Sequence, residues 1–198
     1  MTTQIKLKHI AKFVSGVGFP EDMQGANEGD YPFMKVSDIN GSSRLVSEAN
    51  NHVSKGDVVT MGWRPIAPGS ILMAKIGAAL TKNHRKVLTV PALIDNNMLA
   101  ATPNNVDKNF FYWLWKTIDL TDHQNISSVP SVNMESLKNM RIELPAPKEQ
   151  SAIASYLDSK TQTLDKILTA KNHTHTHTYQ SSARRLLQSL FIQMEAAL

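Results

Sequence analysis

The densest cluster of candidate metal ligands in this 198-residue sequence is His173, His175 and His177, alternating with threonine in His173-Thr-His-Thr-His-Thr178. On a helix, His173 and His177 stand at i and i+4, where two imidazoles can chelate one ion. The tract is repetitive and polar, and it interrupts an apolar helical stripe. It therefore reads as a register device or a solvated stretch, and no metal is expected. A carboxylate-based nuclease fares no better, because Asp38, Asp57 and Asp95 lack the spacing of a metal-ligand set. The sequence has no cysteine. That removes disulfides, thiolate zinc and a cysteine nucleophile, and it fits a cytoplasmic protein. Phosphate loops of the GxGxxG and GxxxxGKS/T kinds are absent, as are HExxH and GxSxG. No catalytic residue is assigned, and no cofactor is expected on the chain itself.

The chemistry that remains is recognition. Lys and Arg number 21 against 17 Asp and Glu, a net +4, with a pI near 9.3. The excess is concentrated. No acid occurs between Asp57 and Asp95, and that window holds Arg64, Lys75, Lys82, His84, Arg85 and Lys86. An acid-free basic segment lowers the cost of approaching a polyanion. Arg64, Lys75, Lys82, Arg85 and Lys86 are the candidate phosphate contacts. Asn83, His84, Asn40, Ser42 and Arg44 are the candidates for base edges, because amide, hydroxyl and guanidinium groups match groove patterns. A second polar loop offers Gln124, Asn125, Ser127 and Ser128. The plainer alternative for each residue is a solvated loop position.

The elements that must position these residues fall into two regions. All nine prolines and all nine glycines lie in residues 1–148, and none follows. Both residues punctuate turns and are excluded from helix interiors. The chain is therefore expected to divide near Pro147, into an α+β domain (1–147) and a helical region (148–198). In the domain, Tyr31–Val36, Ser70–Ile76, Val87–Val90 and Met140–Leu144 read as strands. The polar turn Ser37–Arg44 follows the first of these. Asp107–Lys116 reads as a helix. Its rings Phe110, Phe111, Tyr112, Trp113 and Trp115 cannot all face one core, so a further element should touch one face. Asn133 is a plausible cap for a short helix through Lys138. No βαβ rhythm appears, which argues against a doubly wound sheet.

In the second region, Ile153, Leu157, Leu164, Leu168, Tyr179, Ala183, Leu186, Leu190 and Met194 form one stripe at helical spacing. Its apolar character lapses at Lys160/Thr161, Lys171 and His175. A continuous helix here would be roughly 70 Å long at ~1.5 Å per residue. Such a helix must bury its stripe on another copy, on another protein, or on itself by folding back, and a coiled-coil or helical-bundle assembly follows. The interface expected on this reading is Ile153, Leu157, Leu164, Leu168, His175, Tyr179, Leu186 and Leu190. The start of the sequence does not read as a signal peptide. The longest apolar run, Phe110–Trp115, is far short of the ~20 residues of a membrane span.

Several motifs carry a resemblance. Leu144-Pro-Ala-Pro-Lys-Glu-Gln150, followed by Ile153-Ala and a helix, resembles the LPPLxEQxxI junction of specificity (S) subunits of type I restriction–modification systems. Upstream, Ser127-Ser-Val-Pro-Ser-Val-Asn133-Met-Glu-Ser-Leu137 is similar to that family's approach to the junction. Tyr31-Pro-Phe-Met-Lys-Val-Ser-Asp-Ile39 resembles a further segment. So does Pro68-Gly-Ser-Ile-Leu-Met-Ala-Lys-Ile-Gly77, with Ser70 in place of the usual Asp. Leu186-Leu-Gln-Ser-Leu-Phe191 resembles the end of the family's helical region. The order of these motifs covers nearly the whole chain.

The resemblance implies a target recognition domain followed by a helical spacer. Such subunits carry this unit twice, each copy reading half of a split DNA site, with the spacers packed as an antiparallel coiled coil. It also implies no catalysis on the subunit. Its partners are double-stranded DNA, methyltransferase (modification) subunits that bind S-adenosylmethionine, and restriction subunits in the full complex. This sequence holds one unit, so it looks like a half-length subunit that pairs as a homodimer, and the His–Thr tract departs from the pattern. Two competing readings are a helical scaffold that touches no DNA and a metal-dependent nuclease.

Overall fold

The computed structural model describes residues 2–125 and 127–171, with the backbone alone for 168–171. In chain order the strands are β1 (Thr3–Lys6), β2 (Ala11–Ser15), β3 (Tyr31–Met34), β4 (Leu45–Val46), β5 (His52–Val53) and β6 (Ile71–Ala74). They continue with β7 (Lys86–Leu88), β8 (Leu93–Ile94), β9 (Met98–Pro103), β10 (Gln124–Asn125), β11 (Ser131–Val132) and β12 (Arg141–Leu144). The helices are α1 (Lys55–Thr60), α2 (Lys108–Thr117), α3 (Met134–Asn139) and α4 (Pro147–Lys171).

A five-stranded sheet of order β2-β9-β6-β7-β4 forms the centre, antiparallel except where β4 joins β7 in parallel. Beside it lie a β5-β3-β8 sheet and the β1-β12 and β10-β11 pairs. The four residues of β6 are all buried because the central sheet is covered on both faces. Successive side chains of a strand point to opposite faces. Ile71 and Met73 therefore enter one core with α2, while Leu72 enters a second with Met34, Ile39 and Leu88. Strand β9 divides the same way, Leu99 and Ala101 to the first core, Met98 and Ala100 to the second. The expected α+β class is what this arrangement gives.

Helix α2 begins at Asp107, whose carboxylate accepts from the amides of Asn109 and Phe110 at 2.9 Å each. Every residue from Phe110 to Trp115 is buried. One face lies on the central sheet, where Trp115 meets Phe13 edge-on at 6.0 Å. The opposite face is covered by α4, which is the further element that the crowded rings called for. Asn133 caps α3 through the Ser136 amide at 2.9 Å, as the sequence suggests.

Helix α4 starts at Pro147, whose fixed φ suits a first helical turn. The preceding motif explains itself here. Glu149 Oε2 accepts from the Ala146 amide at 2.9 Å. Gln150, 2% exposed, accepts from the Asp107 amide and donates to the Pro145 carbonyl, both at 2.9 Å. One amide side chain thus joins the starts of α2 and α4. Gln150→Ala strands both partners without water. We expect a loss of about 2–3 kcal/mol, read as a roughly 5–10 °C fall in melting temperature by circular dichroism.

Two interface expectations are corrected. Ile153 and Leu157 do not face a second copy: they are buried with Ala154 against α2 in the domain's own core. The stripe continues past the domain as Leu164, which is 37% exposed, beside the exposed Ile167. The side chain of Leu168 and all of His175, Tyr179, Leu186 and Leu190 lie outside the described residues, as does the His–Thr tract.

Candidate nucleic-acid interface

The parallel pairing of β4 on β7 sets the segment entering β4 alongside the segment entering β7. The first is the polar loop 40–43, and the second is the basic loop 75–85. Gly77, with φ +82, opens a 3-10 turn over Ala78–Lys82, and Asn83, with φ 51, closes it in the left-handed region. Glycine and asparagine tolerate that region best. The Gly77 amide donates to the Pro130 carbonyl at 2.8 Å, and the Val132 amide donates to the Lys75 carbonyl at 2.9 Å. These bonds stitch the β10-β11 hairpin to the basic loop. Loops 40–43, 75–85 and 127–131 therefore meet along one edge of the domain.

Several of the candidates shape this edge rather than line it. Arg85 is 4% exposed and donates to the carbonyls of His84 (3.0 Å) and Ile118 (3.2 Å) and to Asn83 Oδ1 (3.0 Å). Lys86 is buried, and its ammonium donates to the carbonyls of Gly41 and Ser43. Burial holds its pKa below the ordinary lysine value. The Asn83 amide donates to Asp119, and its oxygen accepts from the Leu120 amide at 3.0 Å. Arg85 and Lys86 are thus removed from the phosphate set, and Asn83 from the base-reading set. Arg44 is corrected as well, since its guanidinium turns away to Asp158 of α4 at 2.6 Å. Arg64 lies in the connection entering β6, at the end of that strand opposite Lys75.

The groups that do face outward are Asn40, Ser42, Lys82, Gln124, Asn125, Ser127 and Ser128, with Lys75 and His84 half-buried among them. His84 Nδ1 lies 3.2 Å from the Ile39 carbonyl. Burial holds its pKa below the usual histidine value, the bond to the Ile39 carbonyl opposes that, and the charges of Lys86, Lys82 and Lys116 add to the lowering. The ring sits in the positive field of those three ammonium groups. Lys116 belongs to that field and sequence reasoning missed it, because it ends a helix read only as packing. Among the described residues, no group of three metal-ligating side chains occurs and no helix is long and apolar enough to cross a membrane.

The edge offers ammonium groups of the kind that meet phosphates, and amides and hydroxyls of the kind that meet base edges. Comparison with solved structures agrees on the fold. An S subunit of a type I restriction–modification system from M. genitalium matches at a TM-score of 0.57 and 13% identity, over 85% of this chain and 41% of that one. The HsdS subunit from Thermoanaerobacter tengcongensis matches at 0.61 and 17%, over 97% and 44%. A chain from a structure concerning complex assembly and conformational transition of the type I R-M system matches at 0.67 and 15%, over 95% and 44%. This chain thus spans less than half the length of the proteins it matches. No curated protein shows significant sequence similarity to it. The family model for the type I restriction modification DNA specificity domain matches residues 2–174. With nearly the whole chain inside that match, the protein belongs to the type I restriction modification DNA specificity family.

Proposed function

We propose that this chain is a non-catalytic DNA-recognition subunit of a type I restriction–modification complex and reads one half of a split site. The observation that carries the proposal is the meeting of loops 40–43, 75–85 and 127–131 at one edge, with Lys75, Lys82 and His84 between two polar loops. The edge sits in a chain of the specificity family. Two copies pair through the helices beyond the domain as an antiparallel coiled coil, and the helical region holds methyltransferase subunits. Those subunits bring S-adenosylmethionine, and restriction subunits join the full complex, which works on DNA in the cytoplasm. Identical recognition domains related by a two-fold axis read the same half-site in opposite orientations. The target is then an interrupted palindrome.

Duplex binding measured against salt tests the surface. Lys75→Ala with Lys82→Ala should lower the slope of log K against log salt by about 1.8, two phosphate contacts at ~0.9 each, with sequence preference unchanged. An unchanged slope puts the surface elsewhere, and no binding even at low salt leaves the scaffold reading. Methylation mapping in cells where this is the sole specificity chain tests the symmetry. An asymmetric bipartite motif there would sink the homodimer.

A further inference from the structure

Arg44 ends the polar loop and takes hold of the outgoing helix. Its guanidinium donates to Asp158 Oδ1 at 2.6 Å and to Asn109 Oδ1 at 3.0 Å, and it lies 3.9 Å from the ring centre of Tyr112. The buried Trp113 indole donates to the same Asp158 oxygen at 2.9 Å. One carboxylate oxygen of α4 therefore receives a donor from the loop and a donor from α2. Asp158 directly follows Leu157, the last buried side chain of α4 among the described residues. At the other side of the loop, Lys86 holds the carbonyls of Gly41 and Ser43. The segment carrying Ser42 is tied to the sheet at one end and to the helix at the other.

We propose that Arg44 is a positioning residue whose clamp on Asp158 sets the direction in which α4 leaves the domain, and with it the half-site spacing that a paired molecule accepts. The inference rests on the split-site reading above. An isolated exposed ion pair is too weak for such a task. This one is half-buried and held from several sides: the second prong of the guanidinium goes to Asn109, the group lies over the Tyr112 ring, and Asp158 also accepts from a buried indole, which defines the geometry. Leverage makes the direction matter. From Asp158 to Lys171 the helix runs about 20 Å at ~1.5 Å per residue. A rotation of about 10° at the clamp moves that end by roughly one base-pair step of ~3.4 Å.

The chain has no native cysteine, so Glu48→Cys and Lys166→Cys provide a clean spin-label pair across the clamp. We expect a narrow distance distribution in the parent, a broad or shifted one in Arg44→Ala and in Asp158→Ala, and partial recovery in Arg44→Lys. In the complex reconstituted with its methyltransferase, binding is then compared on duplexes whose spacer differs by one base pair. The parent should discriminate by about tenfold, the worth of one charge-assisted bond, and both alanine variants should lose most of that ratio. A merely destabilised protein would lose affinity on all spacers alike and keep the ratio. An unchanged distance distribution overturns the clamp whatever the DNA result. A broadened distribution with an unchanged ratio overturns its link to spacing. If the parent binds no duplex, the recognition reading fails instead, while the spin-label arm still decides whether the clamp directs the helix.

Discussion

Leu157→Asp should unfold the protein, whereas Leu164→Asp should leave the fold intact and abolish pairing. Both leucines belong to one helical stripe, and the difference lies in what covers them. Leu157 is 1% exposed, packed with Ile153 and Ala154 against α2. A carboxylate there is shut off from water in an apolar core, and its burial costs more than about 4 kcal/mol. That is a large part of the ~5–15 kcal/mol that holds a domain together. Leu164 is 37% exposed in the chain alone, so Asp costs the isolated domain within about 0.5 kcal/mol. In a dry seam between two copies the same Asp buries a carboxylate twice, once from each chain. Thermal melting should separate the variants, and light scattering should report a monomer for Leu164→Asp. An undiminished oligomer would show that the seam does not run through Leu164.

Arg85→Ala should damage the fold more than it damages contact with DNA. The guanidinium answers the His84 and Ile118 carbonyls and the Asn83 oxygen from a nearly sealed position. Alanine takes this donor from the His84 and Ile118 carbonyls, while the Asn83 oxygen keeps the Leu120 amide, a loss of about 2–3 kcal/mol and roughly 5–10 °C in melting temperature. Lys82→Ala, three residues earlier and exposed, should leave melting unchanged and lower the salt slope of duplex binding by ~0.9. The reverse pattern, with Arg85→Ala stable and weak on DNA, would return Arg85 to the phosphate set.

The contrast between these two residues shows where sequence reading stops. Strands β3, β6, β7 and β12 were legible because their residues alternate or run apolar between turn signals. The Asn133 cap and the start of α4 at Pro147 were legible because caps and proline act on their immediate neighbours. The fates of Arg85 and Lys86 were not. Each is buried by carbonyls far away in sequence, Ile118 for one and Gly41 and Ser43 for the other. No local pattern encodes that meeting. The two-residue strands β4, β5, β8, β10 and β11 are too short to show a period, yet the β4-β7 pairing is what brings the polar and basic loops together. The stripe of α4 was visible, but spacing alone does not say at which residue its partner changes.

The turn between β6 and β7 also separates what can drift from what cannot. Gly77 and Asn83 hold positive φ, and Asn83, Arg85 and Lys86 are spent on internal bonds. The Thr81 hydroxyl ties the turn itself, donating to the Ala78 carbonyl at 2.8 Å, whereas Ala78 and Lys82 are simply exposed. Substitution at these two positions alters what the edge presents without altering how the edge is built. The same holds for Asn40 and Ser42 above the buried Lys86 ammonium. On the DNA-recognition reading proposed above, a library restricted to Ala78, Lys82, Asn40 and Ser42 would vary the contact surface on a constant frame, so new target preferences could be selected without first repairing the fold.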